Sequence, residues 1–345
     1  MAPKRPATNK QGASLRDVAE YAGVSIRTVS NVVNGYEYVA DETRAHVKRA
    51  LDHLDYRPNL AARTLRTGRS EIVSLAVPLV DQPYFAELAR EIVRAARSHG
   101  YTVLIEQTES LAQRERSLFT DAASRLIDGV ILSPGAISAD ELVKLHPRVP
   151  VVLLGEQISE PIADHVAIDN VEAARVATEH LIALGRRRIA AINCAPDGPT
   201  ASRMRYEGYT QALAAAGIKL DPGLIAGQLS GGRDRQSGAV AMEQLLAGQP
   251  VPDAIFCFND LTALGAIRAL LHRGYRVPHQ VAVIGVDDIE DGRFSTPTLS
   301  TISPNKARIA ESAVELLVSR IRGSASEPRE VVADFSLVVR ESTGG

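Results

Sequence analysis

The sequence predicts a small all-α head that contains a helix-turn-helix, followed by a larger α/β core built on doubly wound parallel sheets. Three observations predict this class. Residues 14–54 show the apolar spacing of three short helices. From Glu71 onward, short runs of Val, Ile and Leu alternate with helical stretches, which is typical of parallel sheets covered on both faces. The formal charge is positive in the first 70 residues and negative in the remainder.

The composition is that of a soluble globular protein with more than one domain. The chain has 345 residues, of which 45% are hydrophobic and 23% charged, and this length suits two or three domains. No apolar run approaches the roughly 20 residues that span a bilayer, and the N-terminus lacks the apolar stretch of a secretory signal. We therefore expect a cytoplasmic protein with no membrane association.

The charge is divided unevenly along the chain. Residues 1–70 hold 12 Lys and Arg against 7 Asp and Glu, whereas the remainder holds 27 against 34, within a net charge of −2. A basic head joined to an acidic core indicates that the head binds phosphate groups. Cys194 and Cys257 belong to no CxxC or Cys/His cluster, so neither a disulfide framework nor a zinc site is expected. We also expect no other metal and no cofactor.

The head has the pattern of two short helices joined by a tight turn. Ser14 and Ser25 each suit an N-cap, and Gly23 between them tolerates the positive φ that a tight turn requires. This arrangement predicts a helix-turn-helix whose second helix enters the major groove. A plain helical hairpin with solvated polar residues is the alternative.

The N-terminal part of the second helix supplies the side chains expected to meet DNA. Ile26 suits a thymine methyl group, Arg27 a guanine, and Asn31 an adenine or a phosphate. Small hydroxyl side chains on the same helix suit phosphates. The predicted set is Ser25, Ile26, Arg27, Thr28, Ser30 and Asn31.

A short basic segment follows the head. Asn59 suits the N-cap of a helix of about two turns, which Gly68 would end. Arg63 and Arg66 suit phosphates, and Leu65 between them suits a minor-groove wedge that kinks the duplex. The alternative is a linker helix packed on the head.

Eight apolar runs after Glu71 predict strands, with helices between most of them. Such a pattern suits either one large sheet or two doubly wound lobes. The predicted strands are Ile72–Val77, Thr102–Ile105, Gly129–Leu132, Val151–Leu154, His165–Ile168, Ile189–Ile192, Ala254–Cys257 and Val281–Gly285. The predicted helices are Phe85–His99, Leu111–Arg125, Val171–Leu184, Tyr206–Ala216, Ser237–Leu246, Leu261–Leu271 and Lys306–Arg322.

Two motifs in tandem carry a resemblance to a known family. They are Leu15-Arg16-Asp17-Val18-Ala19-Glu20-Tyr21-Ala22-Gly23-Val24-Ser25, continuing through Thr28-Val29-Ser30, and Tyr56-Arg57-Pro58-Asn59 with Ala62-Arg63 and Leu65. From Ser14 to about Arg340 the sequence resembles the LacI/GalR family of bacterial repressors. The resemblance implies a helix-turn-helix head, a hinge helix, and a two-lobed core like that of periplasmic sugar-binding proteins, with an effector between the lobes. Asn59, Ala62, Arg63 and Leu65 are then implied DNA contacts. Asn31 departs from the arginine that the family often has there.

Composition, periodicity and the resemblance together predict the domain bounds. These are a disordered tail over residues 1–13, a DNA-binding domain over 14–56, a hinge helix or linker over 57–70, and a core over 71–340. Lobe 1 would comprise residues 71–168 and 298–327, and lobe 2 residues 169–297 and 328–340.

The implied effector site lies in loops that follow the core strands. Ligands bind at the carboxyl ends of parallel strands in open α/β folds. The matching motifs imply Asp81, Tyr84, Phe85, Arg205, Asn259 and Asp287 as effector contacts. An arginine, an amide and a carboxylate together suit a polyhydroxyl ligand such as a sugar, because they supply both donors and acceptors. Internal pairing of Arg205 and helix capping by Asp287 are the alternatives.

The expected function is regulation of transcription by a homodimer that binds double-stranded operator DNA. Effector binding would close the lobes and change operator affinity, as inducer or as co-repressor. A transport binding protein is the first alternative, and the head argues against it. An enzyme is the second, but no phosphate-binding loop, nucleophile elbow or HExxH motif is present, and Gly231-Gly232-Arg233 predicts a loop rather than a phosphate cradle.

Overall fold

The computed structural model describes residues 13–33, 35–36, 38–56, 69–120, 127–145, 147–155, 162–227, 232–248 and 250–344. Internal contacts divide the chain into two compact units, Met1–Ser70 and Glu71–Gly345. Residues 1–12 and 57–68, which include most of the predicted tail and hinge, lie outside the described residues.

The head consists of α1 (Leu15–Tyr21), α2 (Ile26–Val33) and α3 (Asp41–His53). Ser14 and Asp17 form a capping box at the start of α1. The three helices enclose a small apolar core that includes Val18, Val29 and Val47, none of which has exposed surface. The all-α head and its helix-turn-helix are therefore confirmed.

The core elements follow in chain order. The strands are β1 (Ile72–Val77), β2 (Thr102–Gln107), β3 (Gly129–Leu132), β4 (Val151–Leu154), β5 (Asp164–Ile168), β6 (Ile189–Ile192), β7 (Ile225–Ala226), β8 (Ala254–Cys257), β9 (Ala282–Val286), β10 (Ser300–Pro304), β11 (Glu330–Ala333) and β12 (Phe335–Val338). The helices are α4 (Pro83–Ser98), α5 (Ala112–Thr120), α6 (Ala139–Leu145), α7 (Asn170–Ala183), α8 (Thr200–Ala215), α9 (Arg235–Ala247), α10 (Asp260–His272), α11 (Glu290–Phe294) and α12 (Lys306–Ile321).

These strands form two sheets within the described part of the core. The first has the order β11-β5-β4-β3-β1-β2 and is parallel throughout, and the second has the order β12-β10-β9-β8-β6-β7 with only β12 antiparallel. Central strands such as β3, β4 and β8 are buried along their whole length, which explains their nearly continuous apolar sequence. The two-lobed parallel-sheet fold is confirmed.

The predicted lobe bounds near the C-terminus are wrong. Residues 298–304 were expected in lobe 1, but β10 pairs with β9 in the second sheet. Residues 328–333 were expected in lobe 2, but β11 pairs with β5 in the first sheet. Between them α12 packs on the first sheet, so the chain changes lobe before α12 and again after β11. The hydrophobic pattern identifies a strand, but it does not predict which sheet that strand joins, because the same pattern suits either sheet.

All eight predicted strands are present, with ends within two residues of the prediction. Strands β7, β10, β11 and β12 were not predicted, since they are short or rich in polar residues such as Ser300 and Thr301. Helix α8 begins at Thr200, whereas the prediction placed its start at Tyr206. The prediction missed the first turns because they lack an apolar stripe. No helix in the described segments is both long enough and apolar enough to cross a membrane.

Candidate functional site

A cavity of about 380 Å³ lies between the two lobes, at the carboxyl ends of strands from both sheets. We call it the interlobe cleft. Its volume is within the range of roughly 300–1,000 Å³ that is common for small-molecule sites. Lobe 1 contributes the residues after β1, β3 and β4, and lobe 2 contributes the residues after β8 and β9 together with the first turns of α8.

Arg205 belongs to α8 and lines the lobe 2 side of the cleft. Its Nε donates to Asn170 Oδ1 at 2.9 Å and its Nη1 donates to the Phe258 carbonyl oxygen. Its guanidinium carbon lies 4.4 Å from the centroid of the Phe258 ring. Arg205 is only 8% exposed, so its guanidinium is fixed in orientation by these partners and still lines the cleft. The internal pairing considered for this arginine is present, and it positions the group.

Asp287 follows β9 and faces the cleft with a backbone φ of 118°. A positive φ is unusual for a residue with a Cβ and is found at functional sites more often than elsewhere. Burial raises the pKa of Asp287 to about 6, against the opposing charges of Arg205 and Lys306. Its carboxylate is therefore largely ionised at neutral pH but close to its titration range.

Two aromatic residues of α4 form part of the opposite wall. Tyr84 and Phe85 line the cleft, with ring centroids 5.3 Å apart in an edge-to-face arrangement. Burial, helped by the nearby Asp287, raises the pKa of Tyr84, so its hydroxyl stays protonated and is a hydrogen-bond donor. Lobe 1 thus offers apolar ring surface and lobe 2 offers charged groups.

Asn259 lines the cleft and also caps α10. Its Oδ1 accepts from the Thr262 backbone N–H at 2.9 Å, and its Nδ2 donates to the Arg233 carbonyl oxygen at 3.1 Å. The neighbouring Asp260 is fully buried and accepts from the Thr301 hydroxyl at 2.6 Å. Asp260 therefore joins β10 to α10 and has no surface in the cleft.

Asp81 was expected at the effector site, but it does not line the interlobe cleft. Its side chain is exposed and is absent from the lining of the cleft. The turn between β1 and α4 directs Gln82, Tyr84 and Phe85 to the cleft instead. Sequence proximity to the end of a strand does not decide which side of a turn a residue occupies.

The lining residues that were not among the predicted contacts include Gln82, Asn170, Arg233 and Phe258. Asn170 and Phe258 each lie within two residues of a strand end. Arg233 follows no strand directly, and only the fold brings it to the cleft.

A buried carboxylate supports the loop that follows β3. Glu115 has no exposed surface, and its oxygens accept from the backbone N–H groups of Gly135, Ala136 and Ile137 at 2.8, 3.2 and 2.8 Å. Residues 133–135 of this loop line the cleft. Glu115 thus stabilises a loop that lines the cleft, although Glu115 itself does not line it.

The head presents α2 with a polar outer face. Ile26 is 45% exposed, whereas Val29 and Val32 of the same helix are buried. Ser25 Oγ accepts from the Thr28 N–H at 3.0 Å and lies 2.9 Å from the Thr28 hydroxyl, so Ser25 caps the helix as predicted. The other members of the expected DNA-facing set are exposed or half-buried, namely Arg27, Thr28, Ser30 and Asn31. The remaining expected contacts, Asn59, Ala62, Arg63 and Leu65, lie outside the described residues.

The described residues contain no group of three or more His, Cys, Asp and Glu side chains placed to hold a metal ion. Both cysteines are buried and free.

Two family models match parts of this chain. The model of bacterial regulatory proteins of the lacI family matches residues 14–59, and that of a periplasmic binding protein-like domain matches residues 178–343.

Relatives and solved structures match almost the whole length. HTH-type transcriptional repressor PurR of Mannheimia succiniciproducens is 32% identical over 332 residues, which are 96% of this chain and 98% of the relative. A complex of the transcriptional regulator CelR with cellobiose is 34% identical, with a TM-score of 0.71 over 96% of this chain and 99% of that one. The lac repressor dimer bound to operator and the anti-inducer ONPF is 28% identical, with a TM-score of 0.84 over the same fractions.

Proposed function

This chain belongs to the lacI family of bacterial regulatory proteins, and from that premise we propose that it is a homodimeric repressor whose operator affinity changes when a small polyhydroxyl molecule binds in the interlobe cleft. It is a DNA-binding transcriptional repressor with an effector-binding core, as its relatives are, and these relatives are not enzymes. As a regulator of transcription it would act in the cytoplasm, where its DNA is.

The convergence of Arg205, Asn259 and Asp287 in one cleft carries the effector proposal. They lie on three segments of lobe 2 and meet at the ends of β8 and β9. Together they offer fixed donors and a charged acceptor, which is what a ligand rich in hydroxyl groups requires. Tyr84 and Phe85 offer ring faces to the apolar side of such a ligand. The CelR complex, which holds cellobiose, supports a carbohydrate or a derivative of one.

The DNA-binding part of the proposal rests on α2 and on the basic segment after the head. Arg27 and Asn31 would read base edges, and Ile26 would contact a thymine methyl group. Ser25, Thr28 and Ser30 would contact phosphates. Asn59, Ala62, Arg63 and Leu65 would contact the operator centre, with Leu65 as a wedge between base pairs.

The proposed coupling is closure of the two lobes on the effector. The cleft is lined from both lobes, so a ligand that contacts both walls favours the closed arrangement. If closure is less compatible with operator binding, the effector is an inducer, and in the opposite case it is a co-repressor. By linkage, operator DNA must change effector affinity by the same factor.

The test is operator binding by the full-length protein at fixed salt, with and without a panel of sugars and sugar derivatives, on DNA upstream of its own and neighbouring genes. We expect saturable sequence-specific binding that one compound changes. Arg205→Ala should abolish the response to that compound and leave DNA binding intact, whereas Leu65→Ala should weaken DNA binding and leave effector binding intact. A full effector response in Arg205→Ala would refute the cleft as the effector site.

A further inference from the structure

Residues 287–290 of lobe 2 connect the cleft with lobe 1, and we call them the coupling loop. Asp287, at the start of the loop, lines the cleft. At the end of the loop, the Glu290 N–H donates to Glu87 Oε1 at 2.9 Å, and Glu87 lies on α4 of lobe 1. One short stretch of backbone therefore carries both a proposed effector contact and a contact between the lobes.

The partners of both contacts in lobe 1 are close together as well. Tyr84 lines the cleft and lies one helical turn before Glu87 on α4. Lys306 Nζ pairs with Glu87 Oε2 at 2.7 Å and donates to the Asp288 carbonyl oxygen at 3.0 Å. It also lies 5.9 Å from the centroid of the Tyr84 ring. An effector held between Tyr84 and Asp287 would therefore bridge the same two segments, α4 and the coupling loop, that this ion pair already bridges.

The backbone of the coupling loop has an unusual conformation. Asp287 and Asp288 have φ values of 118° and 48°, so two successive residues with a Cβ lie at positive φ. Such values cost free energy and persist where the surrounding contacts impose them. One of these contacts is made by the Ile289 N–H, which donates to Oδ2 of the fully buried Asp260 at 3.0 Å. The loop therefore keeps its shape only while its anchors hold.

The Asp288 side chain anchors the middle of the loop to lobe 2. Its Oδ1 accepts from Arg340 Nη2 at 2.6 Å. Its Oδ2 accepts from Arg293 Nη2 and from the Ser303 hydroxyl, both at 2.9 Å. The side chain is 8% exposed and does not line the cleft. Its charge-assisted hydrogen bonds therefore hold the backbone between the effector contact and the contact with lobe 1.

We propose that Asp288 is a positioning residue that couples the effector contact at Asp287 to the contact between the coupling loop and lobe 1. Because its carboxylate fixes the loop to the body of lobe 2, both ends of the loop move with that lobe as one piece. An effector that draws Asp287 toward lobe 1 then strengthens the bonds of Glu87 and Lys306 to the loop, and those bonds in turn strengthen effector binding. Asp288 acts without touching the effector. This inference rests on the proposed function, since it names the residue through which the same cleft controls the lobes.

The first experiment is a double-mutant cycle on the full-length protein without any ligand. Urea unfolding is measured for Asp288→Gly, for Glu87→Gln and for the double variant. Glycine adopts positive φ without steric cost, so Asp288→Gly removes the anchor and keeps the backbone conformation accessible. The two carboxylates bind different partners, so independent roles would give additive losses of stability.

We expect the losses to be non-additive. In the double variant the increase in the unfolding equilibrium constant should be at least about threefold smaller than the product of the two single effects, because a loop freed from its anchor no longer transmits the contact made by Glu87. The control cycle combines Asp288→Gly with Arg273→Gln, which breaks an exposed pair with Glu243, and it should be additive. Additive losses in the first cycle overturn the inference.

The second experiment separates binding from response. The probes are the sugars and sugar derivatives of the operator-binding panel, cellobiose among them. For each compound that acts on the wild type, calorimetry gives its Kd, and operator binding gives the factor by which it changes operator affinity. In Asp288→Gly the compound should still bind, while this factor, about 5 to 150 for typical coupled sites, should fall close to about 1.

Asp288→Asn is the conservative variant. Asparagine tolerates positive φ and keeps an acceptor oxygen for Arg340 or Arg293, so this variant should retain a larger factor than Asp288→Gly. A full response in Asp288→Gly overturns the inference. Loss of all binding of the compound in both variants overturns it as well, because Asp288 would then support the effector site itself.

The two proposals fail differently. If the first cycle is additive and Arg205→Ala abolishes the response to an effective compound, the proposed function stands and the inference about Asp288 is wrong. If Arg205→Ala retains a full response to every effective compound, the cleft is not the effector site and both are wrong.

Discussion

Glu87 and Lys306, both on helices of lobe 1, form a nearly buried ion pair, and each of them also contacts lobe 2. Lys306 Nζ lies 2.7 Å from Glu87 Oε2, with side-chain exposures of 12% and 18%, and it also donates to the Asp288 carbonyl oxygen at 3.0 Å. Glu87 lies on α4 of lobe 1, and its second oxygen accepts from the Glu290 N–H of lobe 2 at 2.9 Å. Breaking this pair changes both the stability of the core and the relation between its lobes.

We expect Glu87→Gln to destabilise the core by about 1–3 kcal/mol, because it leaves Lys306 without its counter-charge in a poorly hydrated place. Effector affinity should change as well, since the contact bridges the lobes. Denaturant unfolding and ligand titration measure the two effects. Arg273→Gln, which breaks the exposed pair with Glu243, is the control and should change neither. Unaltered stability in Glu87→Gln would show that this contact is not a connection between the lobes.

Asp287 should make the stability of the core depend on pH. Its pKa is raised by burial from 3.8 to about 6, so the folded protein holds this proton more tightly than the unfolded chain. The associated stability is fully present below about pH 4 and is lost as the pH rises through about 6. Asp287→Asn should therefore stabilise the core at pH 7 by about 1–3 kcal/mol and abolish the effector response.

The neighbouring Asp288 is the control for this prediction, with the opposite sign. Burial acts to raise its pKa, but hydrogen bonds from Arg340, Arg293 and Ser303 hold the pKa below its usual value. Asp288→Asn should destabilise the core at pH 7, and urea unfolding of both variants at pH 5 and pH 7 measures the contrast. Equal shifts of the same sign would contradict the environments assigned to the two carboxylates.

Glu115 should be required for the cleft although it does not line it. In Glu115→Gln the amide nitrogen replaces one of the two oxygens that accept from residues 135–137, so at least one backbone N–H loses its partner. We expect a loss of about 1–3 kcal/mol of stability and weaker effector binding, measured by unfolding and calorimetry. Glu172→Gln, on an exposed part of α7, should leave effector affinity unchanged. If Glu115→Gln keeps the stability and the effector affinity of the wild type, the conformation of this loop does not depend on Glu115.

Gly208 allows two helices of lobe 2 to pack closely. A Cβ at this position would lie 2.0 Å from the Val171 carbonyl oxygen, which belongs to the backbone of α7 and cannot turn away. Gly208→Ala should destabilise the core by at least about 2 kcal/mol, measured by thermal unfolding. Gly248→Ala is the control, since its Cβ would come no closer than 3.4 Å to another atom. Equal melting temperatures of the two variants would refute the close approach of α7 and α8.

Ser25 has a structural role and a proposed DNA contact, and the two are separable. Ser25→Ala removes the hydroxyl that caps α2 and should cost the head about 0.5–2 kcal/mol. Ser14→Ala removes the corresponding cap of α1 and serves as the benchmark for stability alone. Operator affinity, measured well below the melting temperature of both variants, should fall further in Ser25→Ala. An equal fall in both would remove Ser25 from the DNA-facing set.

The sequence by itself determined the local elements and the family. Apolar runs placed eight strands, and the caps Ser14 and Ser25 placed the starts of the first two helices, because these features depend on neighbours within a few residues. The sequence also identified five residues that line the cleft, because they lie in motifs close to the ends of secondary-structure elements. These residues are Tyr84, Phe85, Arg205, Asn259 and Asp287.

Only the tertiary structure decided which sheet each late strand joins, and therefore how the chain crosses between the lobes. It also decided that Asp81 faces solvent and that Arg233 lies against Phe258. Positions 205, 233 and 258 are far apart in the chain, and their meeting depends on how α8, α9 and β8 pack. A pattern read along the chain reports burial and periodicity, whereas the charge of a cleft depends on which distant side chains the packing brings to the same place.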